Sequence, residues 1–159
     1  MSSAKGNAMR VTCVAIGLMA SLLSGCGADS YGPVEILYAD GGGIDKSADG
    51  RMRLMDSEVV PLQVGQRYGW RMYLRTNRSQ IRVKEEITMA GPTTWGGSSE
   101  LKVSADGRSA TKMREVDGTI GFIGGVWGVN GDDPAGVVEI KVTIEDKAEQ
   151  RFKFVLKKP

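Results

Sequence analysis

The sequence predicts an all-β protein built as a single antiparallel β-sandwich. Three observations predict it. Apolar and polar residues alternate with a period of two in about eight or nine short segments. Gly, Asp, Asn and Pro punctuate those segments, and the 159 residues include 22 glycines against three phenylalanines and three tryptophans. Nothing after Leu23 shows sustained helical spacing with caps. The length sets one domain as the expectation, with room for a processed segment. Composition also excludes chemistry. With no histidine, Ser-His-Asp and Cys-His catalysis and imidazole zinc sites are ruled out. Two cysteines cannot build a four-thiolate zinc site.

The first element is not a strand. Val11 to Leu23 reads VTCVAIGLMASLL, an apolar run of 13 residues, with Arg10 before it and Lys5 upstream. As a helix it spans about 20 Å, short of the ~30 Å hydrocarbon core of a bilayer. A basic start, a short apolar stretch and small residues at the exit are the parts of a secretory signal. The residues alone also fit an ordinary cleaved signal that leaves Cys26 free. Leu23-Ser24-Gly25-Cys26, however, resembles the lipobox of bacterial lipoprotein precursors. That resemblance implies cleavage before Cys26, a lipid on its sulfur and acylation of the new amino group. It makes 1–25 a signal peptide and 26–32 a lipidated cysteine with a short tether. The folded domain is then 33–159. The bilayer becomes a partner through acylated Cys26, because two or more acyl signals anchor stably where one is marginal. Gly27, in place of an aspartate, implies by the same resemblance a periplasm-facing outer-membrane address rather than the inner membrane. Met9 offers an alternative start, from which the signal is compact.

Removal of the signal takes two of the 21 basic residues and no acid, leaving 19 of each sign. Cys13 leaves with it, so no internal disulfide is expected and the core alone must hold the fold.

The strands follow in order. Val34 to Tyr38 is the first, ended by Asp40-Gly41-Gly42-Gly43. Met52 to Leu62 contains a second, with Pro61 marking an edge or a bend. Tyr68, Trp70, Met72 and Leu74 alternate with Gly69, Arg71, Tyr73 and Arg75 in a third. Ile81, Val83, Ile87 and Met89 alternate with Arg82, Lys84, Glu86 and Thr88 until Gly91-Pro92. Leu101 to Val103 and Ala110 to Val116 flank Asp106-Gly107, a two-residue hairpin signal. Thr119 to Val129 is apolar and Gly-rich. Val138, Ile140, Val142 and Ile144 alternate with Glu139, Lys141, Thr143 and Glu145. Phe152, Phe154 and Leu156 make the last. Ser-Ala-Asp-Gly-Arg occurs twice, at Ser47 and Ser104, with flanks that do not match, and reads as two similar turns.

Gly131-Asp132-Asp133-Pro134-Ala135-Gly136, leading into the alternating strand, resembles the entry to the penultimate strand of bacterial immunoglobulin-like domains. Phe152-Lys153-Phe154-Val155-Leu156 fits their final strand. Gly65 to Leu74, GQRYGWRMYL, resembles a mid-domain strand of secreted proteins of that kind. The resemblance implies an immunoglobulin-like sandwich and brings no catalytic residues. Val137 stands where a tyrosine often follows the turn.

Four features are candidates for function. Arg67, Arg71, Arg75, Arg78, Arg82 and Lys84 form a basic stretch with no acid among them. Read as a hairpin, it gives a cationic face suited to an anionic envelope component or an acidic partner. The alternative is an outer face paired with Glu86, Glu139 or Glu145 across strands. Glu85 falls in phase with apolar neighbours, so it is a buried acid or is turned outward by a bulge or a rim position. Trp95, in a Gly-Pro-Thr loop, is a contact anchor, a sugar platform or a plug for the sandwich end; Trp127 reads as core. Asp132-Asp133, with Asp40, Asp45 and Asp49, are oxygen-rich but lack the EF-hand pattern and read as turn formers.

No catalytic motif is present, and no cofactor or metal is expected beyond the lipid on Cys26. Nucleic acid does not fit a neutral mature domain in that compartment. The expectation is a lipid-anchored, non-enzymatic envelope module that binds through a sheet face, an edge or an end loop. One alternative is a periplasmic inhibitor or immunity protein. The other is a small-ligand carrier or an envelope enzyme, which requires a deep pocket with convergent polar groups.

Overall fold

The computed structural model describes residues 33–96 and 100–159. The lipobox Leu23, Ser24, Gly25 and Cys26, with the apolar run and the tether, lies outside them. Ten strands are present: β1 Glu35–Lys46, β2 Met52–Leu54, β3 Val59–Pro61, β4 Arg67–Arg75, β5 Gln80–Thr88, β6 Lys102–Val103, β7 Ser109–Asp117, β8 Phe122–Gly128, β9 Gly136–Ile144 and β10 Ala148–Lys157. They form a four-stranded sheet, β2-β1-β4-β8, and a six-stranded sheet, β3-β10-β9-β5-β7-β6. The only helical turn among the described residues is a 3-10 turn, Gly118–Ile120, capped by Asp117.

The two sheets pack because the period-2 faces are apolar on one side. Tyr68, Trp70, Met72 and Leu74 of β4 meet Val138, Ile140, Val142 and Ile144 of β9 and Phe152, Phe154 and Leu156 of β10 in one buried cluster. Tyr68 packs against Phe154 at 5.1 Å, and Trp70 stacks on Phe152 at 5.7 Å. Each large side chain buried here contributes about 1.5–3 kcal/mol.

Two expectations about strand limits are corrected. The first strand does not stop at the glycines but runs on to Lys46, with a register shift between Ile36 and Tyr38. Glycine is needed there for space. A Cβ on Gly42 would lie 1.8 Å from the Met55 carbonyl oxygen, and one on Gly41 would lie 2.9 Å from Phe152. The 52–62 segment is two strands, not one, and they belong to different sheets. After β2 the chain crosses over, and β3 joins the end of β10 in parallel, Val59 opposite Val155. The six-stranded (lower) sheet, above which the four-stranded one lies, is therefore mixed rather than purely antiparallel, since the crossover fixes the direction in which β3 arrives. Pro61 sits on that edge, where its missing N–H costs no ladder bond.

The two Ser-Ala-Asp-Gly-Arg segments adopt one conformation. Ser47 and Ser104 hydroxyls donate to Asp49 and Asp106 and also to a backbone carbonyl across the turn. The same carboxylates accept from the Arg51 and Arg108 amides, and Gly50 and Gly107 take φ of 81° and 68°. One turn links β1 to β2 and the other links β6 to β7. The latter connection, Ser104–Arg108, is longer than the two-residue hairpin expected, because the serine closes it with its own side chain.

These bonds hold Asp106 below its ordinary value, through the Ser104 hydroxyl first and the Arg108 amide second, and Asp49 likewise through Ser47 and Arg51. Lys141 and Lys84 lower Glu86. A carboxyl held below its unfolded value contributes stability that is complete above that value and is lost as pH falls through the folded one. Stability is therefore expected to fall as pH drops below the ordinary values of 3.8 for aspartate and 4.5 for glutamate. Urea unfolding between neutral and acid pH checks this. A midpoint that does not move below pH 4 contradicts the assignment, and Asp106→Ala should flatten the acid limb.

Candidate functional site

The six-stranded sheet extends two strands past the four-stranded one. β8 ends the upper sheet and lies over β5, where the Trp127 indole N–H reaches Glu85. β7 and β6 continue beyond it. Directly opposed residues share a face, so Glu85–Lys112 and Val83–Arg114 place Lys112 and Arg114 on the inner face of β7. Ala110, Lys112, Arg114 and Val116 thus form one row, and its charges point inward where the upper sheet no longer covers them.

Glu85 is the centre of this edge. β5 pairs without a bulge from Gln80 to Thr88, so its alternation carries the Glu85 side chain into the sandwich, where it is 3% exposed. The outward-turned reading of Glu85 is thereby corrected. The carboxylate is paired on every side. Trp70 donates to Oε2 at 3.0 Å, Trp127 donates to the same oxygen at 3.3 Å, and Arg114 Nη2 stands 3.2 Å from Oε1. Arg114 Nη2 also donates to the Gly124 carbonyl of β8 at 2.6 Å, and its guanidinium lies 5.9 Å from the Trp70 ring. Gly125 makes room for the group, since a Cβ there would lie 2.5 Å from the Trp70 indole nitrogen and 2.6 Å from Glu85. Glu85, Lys112, Arg114, Gly124, Gly125 and Trp127 line an open cleft of about 270 Å³. A carboxylate so fully engaged is an electrostatic tie between the sheets.

The basic stretch does not form one patch. Arg67, Arg71 and Arg75 lie on β4 of one sheet, while Arg82 and Lys84 lie on β5 of the other. Most are matched locally. Arg71 makes a two-pronged bond to Asp40 at 2.7 Å, and Arg75 meets Glu35 at 2.9 Å. Arg78 meets Glu145 at 3.0 Å, Arg82 lies near Glu145 and Asp146, and Lys84 lies 3.2 Å from Glu86. Arg67 donates to the Met52 sulfur at 3.4 Å. Glu145 and Glu86 are partners that the sequence offered, whereas Asp40 and Glu35, which come from β1, are not.

Trp95 is half-buried. Its indole donates to the Gly107 carbonyl at 2.8 Å, and its ring meets Trp127 edge-on at 6.3 Å. It folds back over the β6–β7 end. Trp127 is half-buried too, at the cleft rather than in the core. The aspartates are used locally. Asp133 accepts from Thr93 at 2.6 Å and from the Asn130 amide, and Asp132 accepts from the Thr94 amide. Among the described residues no group of three or more Cys, Asp or Glu is placed to hold a metal.

The outer face of the four-stranded sheet carries a feature the sequence reading missed. Tyr38, Tyr73 and Phe122 are cross-strand neighbours on β1, β4 and β8. Their rings lie 6.1 and 5.4 Å apart, and they are 54%, 42% and 43% exposed. Beside them Ile44, Met52, Leu54, Phe122 and Val126 rim a mostly apolar trough of about 320 Å³. A larger concavity, about 500 Å³, lies elsewhere, by the β1–β2 turn. Its charged groups, Asp45, Lys46 and Arg67, are all exposed.

The family model described as "PM0630 beta sandwich domain" matches residues 39–157. Among solved structures, an immunoglobulin-like protein from Pseudomonas aeruginosa is similar at 13% identity and a TM-score of 0.55, over 80% of this chain and 99% of that one. That likeness shows the immunoglobulin-like fold. No curated protein matches.

Proposed function

The chain belongs to the PM0630 beta sandwich domain family, and on that scaffold we propose a binding module of the bacterial cell envelope, tethered by lipid on Cys26 and working without catalysis. The observation that carries the binding role is the exposed aromatic row Tyr38–Tyr73–Phe122 on a solid sandwich. Contiguous exposed apolar surface marks interaction sites, and aromatic residues are the side chains that anchor them. The core residues behind the row are buried, and the clefts on this and the neighbouring edge open at the surface. The local pairing of the arginines favours a protein partner over an anionic envelope component. The lipid tether rests on Leu23-Ser24-Gly25-Cys26 and the basic-apolar run before it.

Two measurements test the proposal. Cys26→Ser is expected to remove acyl mass and to release the protein from membranes; unaltered anchoring contradicts the tether. A photo-crosslinker at Tyr73 in the native envelope is expected to capture one discrete protein, and Tyr38→Ser with Phe122→Ser should abolish the product. Capture that survives both substitutions contradicts the aromatic face as the contact.

A further inference from the structure

We propose that the end of the sandwich where β1 begins rests on the lipid bilayer, with Leu37 and Ile120 entering the headgroup boundary and the strands standing upright from it. This rests on the lipid tether proposed above and adds how the domain is held against the membrane.

Antiparallel pairing puts the starts of β1 and β8 and the end of β4 at one end of the upper sheet, since Glu35 lies opposite Arg75 and Tyr73 opposite Phe122. A short link from Arg75 to Gln80 brings β5 to the same end of the lower sheet, where β7 and β9 finish. Among the described residues fourteen large apolar side chains are exposed, and five of them, Leu37, Tyr38, Tyr73, Ile120 and Phe122, gather at this end. Two local devices produce the exposure. The register of β1 against β4 passes over Leu37, pairing Ile36 with Leu74 and Tyr38 with Tyr73. That bulge reverses the alternation, so Ile36 packs against the core while Leu37 and Tyr38 are both half-exposed. Ile120 closes the 3-10 turn, which Asp117 caps through the Thr119 amide and which the Leu74 amide ties down through the Gly121 carbonyl. A fixed turn therefore holds Ile120 out at 67% exposure. Ile120 and Leu37 lie two strand spacings apart, about 10 Å.

The tether says what covers this end. Glu35, the first residue of β1, follows Cys26 by nine residues. Lipid on Cys26 is then within about 30 Å of β1 by chain length alone. Tethering raises the effective concentration of the bilayer at Leu37 and Ile120, so two side chains suffice for a contact that is marginal without it. Charge does not oppose the contact. Glu35 pairs with Arg75, Arg78 with Glu145, and Arg82 lies near Glu145 and Asp146. Asp117 and Lys147 add one charge of each sign. The end is thus balanced and suits a zwitterionic surface. Tyr38, Tyr73 and Phe122 stand one residue along the strands from the tip, at headgroup level, where rings with an apolar body and a polar edge are favoured. The aromatic row then faces sideways, toward a protein in or on the same membrane.

The test uses the processed protein purified from its membranes and reconstituted in phosphatidylcholine vesicles with brominated acyl chains, which quench an indole that enters the bilayer. Ile120→Trp and Leu37→Trp each add an indole at the tip. Val64→Trp adds one at the opposite end, where the exposed Val64 precedes β4. Emission from Trp70, Trp95 and Trp127 in the unsubstituted protein is the baseline. The added emission of both tip variants is expected to shift to shorter wavelength and to be largely lost in brominated vesicles, while that of Val64→Trp is kept. Circular dichroism identifies a variant that fails to fold, and the other tip reporter then carries the test. Acylated protein whose tip indoles keep their emission, or tip and Val64→Trp indoles quenched alike, overturns the bilayer contact and leaves the tether standing. Purified protein without acyl mass overturns both.

Discussion

Arg114→Ala is expected to lower stability by about 3 kcal/mol, because it strands the Glu85 carboxylate inside the sandwich. Glu85 is buried, and its two indole donors remain after the change, which sets the value at the lower end of the range for breaking a buried pair. Arg114 is itself part-exposed, so the cost comes from the acid left behind rather than from the arginine lost. Glu85→Gln keeps an oxygen for the indoles and loses only the ionic partner, and about 1–2 kcal/mol is expected. Replacing both residues with leucine removes the imbalance, and the double variant should lie within about 1 kcal/mol of the native protein. Urea unfolding at unchanged slope reads all three. An Arg114→Ala midpoint equal to that of the native protein would mean that the indoles alone hold the carboxylate.

Gly69→Ala is the second large effect, at about 3 kcal/mol, the upper end for overpacking. Gly69 lies in the middle of β4 between β1 and β8. A Cβ there would stand 2.2 Å from the Gly125 carbonyl oxygen and 3.0 Å from Ile44. The near atom is backbone of the neighbouring strand, so relief requires β8 to move. Gly128→Ala is the control, since nothing lies within 4 Å of its Cβ position. It should change stability by no more than about 0.5 kcal/mol. Equal midpoints for the two variants would show that β8 adjusts freely.

The sequence shows the sandwich wherever a strand is buried on one side only. In β4 and β9 every second residue is apolar, and those residues form the core. It misleads where spacing depends on a distant neighbour. Gly41 to Gly43 read as a stop, yet they continue β1, because the loop at Met55 presses onto Gly42 from outside. The phase of Glu85 is visible in the sequence. Its partners are not, since Trp70, Arg114 and Trp127 come from three other strands. Lys112 and Arg114 carry a signal that was there to be found, for they fall in phase with Ala110 and Val116 on the apolar side of β7. The arginine stretch is continuous in sequence but not in space, because the chain changes sheets between Arg75 and Gln80.

β10 has a consequence for how the chain reaches this state. It supplies Phe152 and Phe154, on which Trp70 and Tyr68 rest, and it alone pairs with β3, whose partners lie 96 residues later in the chain (Val59 opposite Val155). Until β10 arrives, β3 has no neighbour and the aromatic side chains of β4 have no floor. Closing so long a loop costs entropy before any contact repays it, so this step is expected to fall late and to be slow. The fold is therefore completed by β10, and a nascent chain remains open, without a finished core, until that strand is in place.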